Sequence, residues 1–128
     1  MRFVLDASAL LAGLNAEPGA DRVAAALDNA VVSAVNFAEV AGGLARGGNS
    51  VERLRAILQA LACTVVPADE EMAIEAGLMR ALTDRAELSL GDRFCFALGR
   101  RLRAPVLTAD RQWALVADDV GVRVEVIR

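Results

Sequence analysis

Asp6, Glu39, Asp92 and Asp110 are the residues of this chain whose types and positions could do chemistry. Two apolar, strand-like runs end in aspartate: Phe3-Val4-Leu5-Asp6 and Val106-Leu107-Thr108-Ala109-Asp110. In an open parallel sheet, ligands bind beyond the carboxyl ends of the strands, where the strand order switches. Two aspartates at two such ends can therefore converge on one crevice. Neighbouring carboxylates repel unless protons or cations neutralise them, and clustered hard oxygens suit Mg²⁺ or Mn²⁺.

Composition narrows the alternatives. The chain has 128 residues with 17 Asp and Glu, and its 14 basic residues are all arginine; His, Lys and Tyr are absent. Without His there is no Ser-His-Asp or Cys-His catalytic unit and no His-bearing zinc site. Without Lys there is no P-loop, Schiff base or Lys general base. Carboxylates, Arg, hydroxyls and two cysteines remain. Cys63 and Cys95 lie far apart in apolar contexts, too few for a Cys₄ site or a disulfide scaffold. They read as buried, reduced thiols of a cytoplasmic protein. No apolar run approaches the ~18 residues that span a bilayer, and Asp6 interrupts the N-terminal run too early for a signal-peptide core.

The elements that must hold these acids follow from periodicity. Residues 2–6, 30–34, 63–66, 105–109 and 122–127 read as short strands. Helices are expected at 7–14, 20–28, 35–46, 51–61, 69–84 and 91–103, with a helical turn at 110–116. Phe37, Val40, Ala41 and Leu44 form one apolar stripe; Val51, Leu54, Ile57, Leu58 and Leu61 form another. Met72, Ala76, Met79 and Leu82 are expected inward, as are Phe94, Cys95, Leu98 and Leu102. Short apolar strands alternating with helices indicate an α/β fold with a mostly parallel sheet. At this length, and with no linker or repeat, residues 1–128 read as a single domain.

Each acid also has a plainer reading. Asp6 and Asp110 stand where helix N-caps are expected. Asp92 closes the S-x-x-D pattern of Ser89-Leu90-Gly91-Asp92, a capping box before an apolar helix face. Glu39 lies about 160° around the helix from the middle of the Phe37/Val40/Ala41/Leu44 stripe, the side normally solvated. Its neighbours there, Val35, Ala38, Gly42 and Gly43, are small or apolar, so another element could approach closely. Capping and ligation are compatible roles, since a helix start can aim a carboxylate.

Four segments in order carry a resemblance: Val4-Leu5-Asp6-Ala7-Ser8-Ala9-Leu10, Asn36-Phe37-Ala38-Glu39-Val40, Leu90-Gly91-Asp92 and Leu107-Thr108-Ala109-Asp110-Arg111-Gln112-Trp113. Together they resemble the PIN-domain family, and most of all its VapC-type toxin ribonucleases, over essentially the whole chain. The resemblance implies a three-layer α/β/α fold with a sheet of about five strands in the order 3-2-1-4-5. It implies Mg²⁺- or Mn²⁺-dependent hydrolysis of RNA phosphodiesters, leaving 5′-phosphate and 3′-hydroxyl ends. The family's four acids fall on Asp6, Glu39, Asp92 and Asp110. Asp6 and Asp92 are the expected direct metal ligands, with Glu39 and Asp110 as ligands or water-positioning groups. Ser8 and Thr108 are expected to hold a carboxylate or water through their hydroxyls. It further implies a homodimer and a VapB-like antitoxin whose tail lies across the groove.

A net charge of −3 looks awkward for an RNA partner, yet setting the four acids aside leaves 14 positive against 13 negative charges. Arg93, Arg100, Arg101, Arg103 and Arg111 are the expected phosphate contacts; the plainer reading of the Arg100–Arg103 run is a solvated helix end that suits the dipole. Aromatic residues, at 4%, are too few for a broad base-stacking platform. The rival reading is a non-catalytic PIN-like interaction module with the acids as caps. A phosphotransfer domain fits worse, because a receiver needs a Lys and a haloacid-dehalogenase-like phosphatase needs an Asp-x-Asp start where this chain has Asp6-Ala7-Ser8.

Overall fold

Strand β1 (Phe3–Leu5) is the centre of the sheet, paired in parallel with β2 (Ala30–Ser33) on one side and β4 (Val106–Thr108) on the other. The computed structural model describes residues 1–128. Strands β3 (Thr64–Val66) and β5 (Val124–Val126) complete an all-parallel, five-stranded sheet in the order 3-2-1-4-5, as the resemblance implies. Alternation along the strands divides the core in two. Val4, Val31 and Val106 face one layer, while Leu5, Val32 and Leu107 face the other.

The second of these layers holds α1 (Ala7–Leu14), α2 (Ala20–Ala26), α3 (Ala34–Arg46) and α4 (Val51–Gln59). The first holds α5 (Glu70–Leu78), α6 (Arg80–Thr83), α7 (Leu90–Leu102) and α8 (Ala117–Val120). Most of the expected elements are present within a residue or two. The exceptions have physical causes.

The helix expected over 69–84 is interrupted at Met79. The N–H groups of Leu82 and Thr83 both bond the Met79 carbonyl, tightening the turn, and Leu82 is 43% exposed rather than inward. A 3₁₀ turn over Asp84–Ala86 comes next. Helix α4 has no fully buried residue, and Val51 is 69% exposed. Its Leu54, Ile57 and Leu58 only rest on the edge of the core. Helix α7 is buried beyond its expected stripe: Phe96, Ala97 and Gly99 are covered too, because it lies between the sheet and α5. A Cβ at Gly99 would sit 2.7 Å from Val106 Cγ1, so glycine there lets helix and strand meet. No helix is long and apolar enough to cross a membrane.

Candidate active site

The register of β1 against β4 puts Leu5 opposite Leu107, so the next residues, Asp6 and Thr108, emerge side by side at the carboxyl edge. Asp6 caps α1: its Oδ1 accepts the Ala9 N–H at 2.8 Å. Thr108 Oγ1 donates to Asp6 Oδ2 at 2.7 Å, and Ser8 Oγ lies 2.8 and 2.9 Å from the two carboxylate oxygens. The hydroxyls are themselves fixed, since Ser8 Oγ accepts the Ala109 N–H and Thr108 Oγ1 accepts the Asp110 N–H. Both hydroxyls thus hold the Asp6 carboxylate. Asp6 is only 3% exposed. Burial pushes its carboxyl up to about 6, against the pull of these hydrogen bonds, and the charge of Asp92 adds to the rise.

Asp92 enters from α7. It completes the capping box with Ser89: Ser89 N–H donates to Asp92 Oδ2 at 3.0 Å, and Asp92 N–H donates to Ser89 Oγ at 3.2 Å. Partial burial raises its carboxyl, with further contributions from Glu39 and Asp110. Asp110 caps the 3₁₀ turn Arg111–Leu115 through the Gln112 N–H. The capping readings of Asp6, Asp92 and Asp110 all hold, and capping aims all three side chains at one place.

Glu39 reaches that place by a different route. It is exposed on α3, and α3 packs against α7. The fully buried Asn36 fixes the contact: its Nδ2 donates to Glu39 Oε1 at 2.9 Å and to the Gly91 carbonyl at 2.9 Å, while Ser33 Oγ donates to its Oδ1. A Cβ at Gly91 would lie 2.6 Å from Glu39 Oε1, so only glycine leaves room for this carboxylate. Asn36 and Gly91 are positioning residues, a role that depends on contact between two helices and that neither residue type signals by itself.

The result is a groove of about 580 Å³ lined by Asp6, Ser8, Glu39, Arg46, Asp92 and Asp110. Arg46 is its one basic residue, and sequence reasoning does not single it out. A signal exists all the same: Glu39, Gly42, Gly43 and Arg46 form a second i, i+3, i+4, i+7 stripe on α3, and all four line the groove. No three His, Cys, Asp or Glu side chains stand close enough to share one ion. The donor set is carboxylate and hydroxyl oxygen throughout, which fits Mg²⁺, an ion held by one or two protein carboxylates with water and substrate phosphate completing its shell. Cys95, fully buried behind the acids, is pushed well above the ordinary thiol range by burial and then by Asp6, Asp92 and Glu39. It is a protonated core residue, and Cys63 is likewise buried and free.

The other arginines are not brought to the acids. Arg93 is buried on α7 with its Nε lacking a partner. Arg101 pairs with Asp69 at 2.8 Å, across the α5–α7 contact. Arg100 and Arg103 lie at the far end of α7, roughly 12–16 Å along its axis from Asp92, where they border a different groove. Arg111 is beyond Asp110 but donates its Nε–H to the Arg128 carbonyl. The helix that delivers Asp92 to one edge of the sheet necessarily carries its basic end to the other.

A family model described as PIN domain matches residues 3–119. The fold is similar to VapBC-1 of nontypeable Haemophilus influenzae, with a TM-score of 0.75, 19% identity, and coverage of 99% of this chain and 98% of that one. A DNA-bound VapBC of Salmonella typhimurium gives 0.71 at 20% identity, covering 98% and 97%. VapC20 of Mycobacterium tuberculosis, described as a sarcin–ricin-loop-cleaving toxin, gives 0.69 at 18%, covering 88% and 94%. No curated protein matches the sequence.

Proposed function

This chain belongs to the PIN-domain family, and from that premise we propose that it is a metal-dependent endoribonuclease of the VapC toxin type. The observation that carries the reading is the convergence of Asp6, Glu39, Asp92 and Asp110 on one groove from four separate parts of the sequence. Residues 1–128 act as a single catalytic unit.

In this reading Asp6 and Asp92 hold Mg²⁺ or Mn²⁺, with Glu39 and Asp110 alongside. Bound there, the ion supplies a more acidic water and screens the phosphate's charge from the acids. Ser8 and Thr108 keep both oxygens of Asp6 in place through their hydroxyls. Glu39, pinned by Asn36, is available to orient a water at the groove floor. Arg46 offers a guanidinium to a phosphate at the groove's edge. No His is required, in keeping with a chain that has none.

The partners accord with the same reading: a VapB-like antitoxin over the acidic groove, a second copy of the chain, and a cytoplasmic setting. Ile74 and Leu78, one turn apart on α5, are 48% and 74% exposed, and this apolar face supports a homodimer. The test is cleavage of structured RNA by antitoxin-free protein. Cleavage is expected with Mg²⁺ or Mn²⁺, none in EDTA, and a loss of more than about 100-fold in Asp92→Asn. Ser89 remains the N-cap of α7, and the amide oxygen of Asn can still accept the Ser89 N–H, so this variant folds; if it cleaves as fast as the parent, the assignment fails.

A second reading, a non-catalytic interaction module, draws support from the caps, since Asp6, Asp92 and Asp110 each already serve a helix start. Calorimetric Mg²⁺ titration separates the two. Absence of binding, with thermal stability indifferent to the ion, favours the module.

A further inference from the structure

At the amino-terminal edge of the sheet, opposite the acids, lies a groove of about 800 Å³ bordered by Arg2, Arg100, Arg103 and Arg123. Three of these arginines sit at the entries of three adjacent strands. Arg2 precedes β1, Arg103 leads into β4 through Ala104 and Pro105, and Arg123 precedes β5. The backbone joins these entries, with Val4 N–H donating to the Pro105 carbonyl and Val106 N–H to the Arg123 carbonyl, both at 2.9 Å. Neighbouring strands are ~4.8 Å apart, so the three entries span about 10 Å. Arg100 adds a fourth cation one turn back on α7.

Nothing neutralises them. All four are exposed, none takes part in an ion pair, and no carboxylate lines the groove. Arg100 bonds only the Val120 carbonyl, at 3.5 Å. In a chain of net charge −3 this is a local concentration of positive charge.

Arg103 is the C-cap of α7 with φ 52° and ψ 43°, the left-handed conformation in which helices often end on glycine and which Ala16 and Glu87 also adopt in this chain.

We propose that this groove is a second, non-catalytic site that takes the phosphodiester backbone of single-stranded nucleic acid. Guanidinium forks match phosphate oxygens two at a time. The lining also includes Gly99, Pro105, Gly121 and Val122, small or apolar residues suited to the sugar and base faces that alternate with phosphates. An acidic peptide fits less well, because the groove runs across strand starts and offers no free strand edge to extend. The site lies across the molecule from the acids, so it tethers nucleic acid instead of positioning a scissile bond.

The test is fluorescence anisotropy with a labelled single-stranded RNA oligonucleotide in EDTA, so the outcome is independent of whether the acids cleave. An equal-length DNA oligonucleotide identifies which polymer is preferred. Each phosphate neutralised on a single strand contributes about −0.7 to the slope of log K against log salt. Arg100→Gln/Arg123→Gln therefore flattens the slope by about 1.4 and weakens binding roughly tenfold or more at 50 mM salt. Arg53→Gln/Arg55→Gln, an equal charge change on the exposed face of α4, leaves the slope unaltered. Arg103→Gly separates binding from folding: affinity falls while Tm holds or rises, because glycine accepts the left-handed turn. Equal slopes for the groove and α4 variants overturn the proposal. So does arginine-dependent binding of polyglutamate without binding of either oligonucleotide, or of inorganic phosphate alone.

Discussion

Replacing Asp6 by Asn should stabilise the metal-free protein, and by an amount that depends on pH. Asp6 is buried, and its carboxyl is raised from 3.8 to about 6. Between those two values the folded state binds more protons than the unfolded one, so stability falls as pH climbs through the window. Above about 6 the full penalty applies. A shift of about 2 pKa units corresponds to about 3 kcal/mol. At pH 4.5 the unfolded carboxyl is mostly ionised but the folded one is mostly protonated, and about 1 kcal/mol of the penalty has accrued. Asn keeps the Oδ1 cap on the Ala9 N–H and offers an N–H towards Thr108 Oγ1, which turns its hydroxyl elsewhere. Any cost of that rearrangement is independent of pH. The difference in unfolding free energy between variant and parent should therefore grow by about 2 kcal/mol from pH 4.5 to 7.5, measured by urea denaturation in EDTA. Adding Mg²⁺ at pH 7.5 should raise the parent's Tm and not the variant's. A variant–parent difference flat across this range would refute the account of Asp6 as a buried charge awaiting a cation.

Other expectations rest on the same geometry. At Mg²⁺ concentrations that do not saturate the site, RNA cleavage should decline as pH drops through about 6, where Asp6 of the metal-free protein takes up a proton in competition with the ion. Ser8→Ala removes a hydrogen bond that lowers the Asp6 pKa, so the inflection of the pH–rate profile should move upward. Gly91→Ala puts a methyl where the Glu39 carboxylate lies. That side chain can swing away, so Tm should change little, whereas cleavage should fall roughly 10²-fold from misplacement of the group. Cys63 and Cys95 are buried with raised pKa values, so neither should react with an aromatic disulfide reagent until the chain is unfolded in urea.

Much of this molecule is legible in its sequence because the signals are local. Apolar runs closed by Asp6, Pro67 and Asp110 mark three of the strands, and Ser50 and Ser89 mark helix starts that the structure keeps. Asp6 and Asp110 are legible as a pair because each comes just after a strand, and parallel strands point their carboxyl ends to one edge of the sheet. Less legible is anything decided by packing between elements. Leu82 obeys its helical spacing but turns outward where the helix tightens at Met79. Glu39 looks solvated on its own helix, and only the approach of α7 over Gly91 makes a groove of its surroundings. The Arg100–Arg103 run is near Asp92 in sequence, which suggests a shared site. Distance along a helix is distance in space, and the run ends at the opposite edge. Arg46 shares a face with Glu39, yet a lone arginine near a helix end has a ready explanation in the dipole.

The pairing of β1 with β4 has a consequence for how the protein is made. Asp6 and Thr108 touch, yet they are 102 residues apart in sequence. At ~5–20 residues per second, roughly 5–20 s separate their synthesis. Through that interval the nascent chain carries Asp6 and Glu39, and then Asp92, with the central strand still open along the side that β4 will fill. The acidic groove cannot close until Val106–Thr108 docks, so a chain broken off earlier holds three of the four acids and no site. If the groove cuts RNA, the activity is withheld by chain topology until translation of the domain is nearly over.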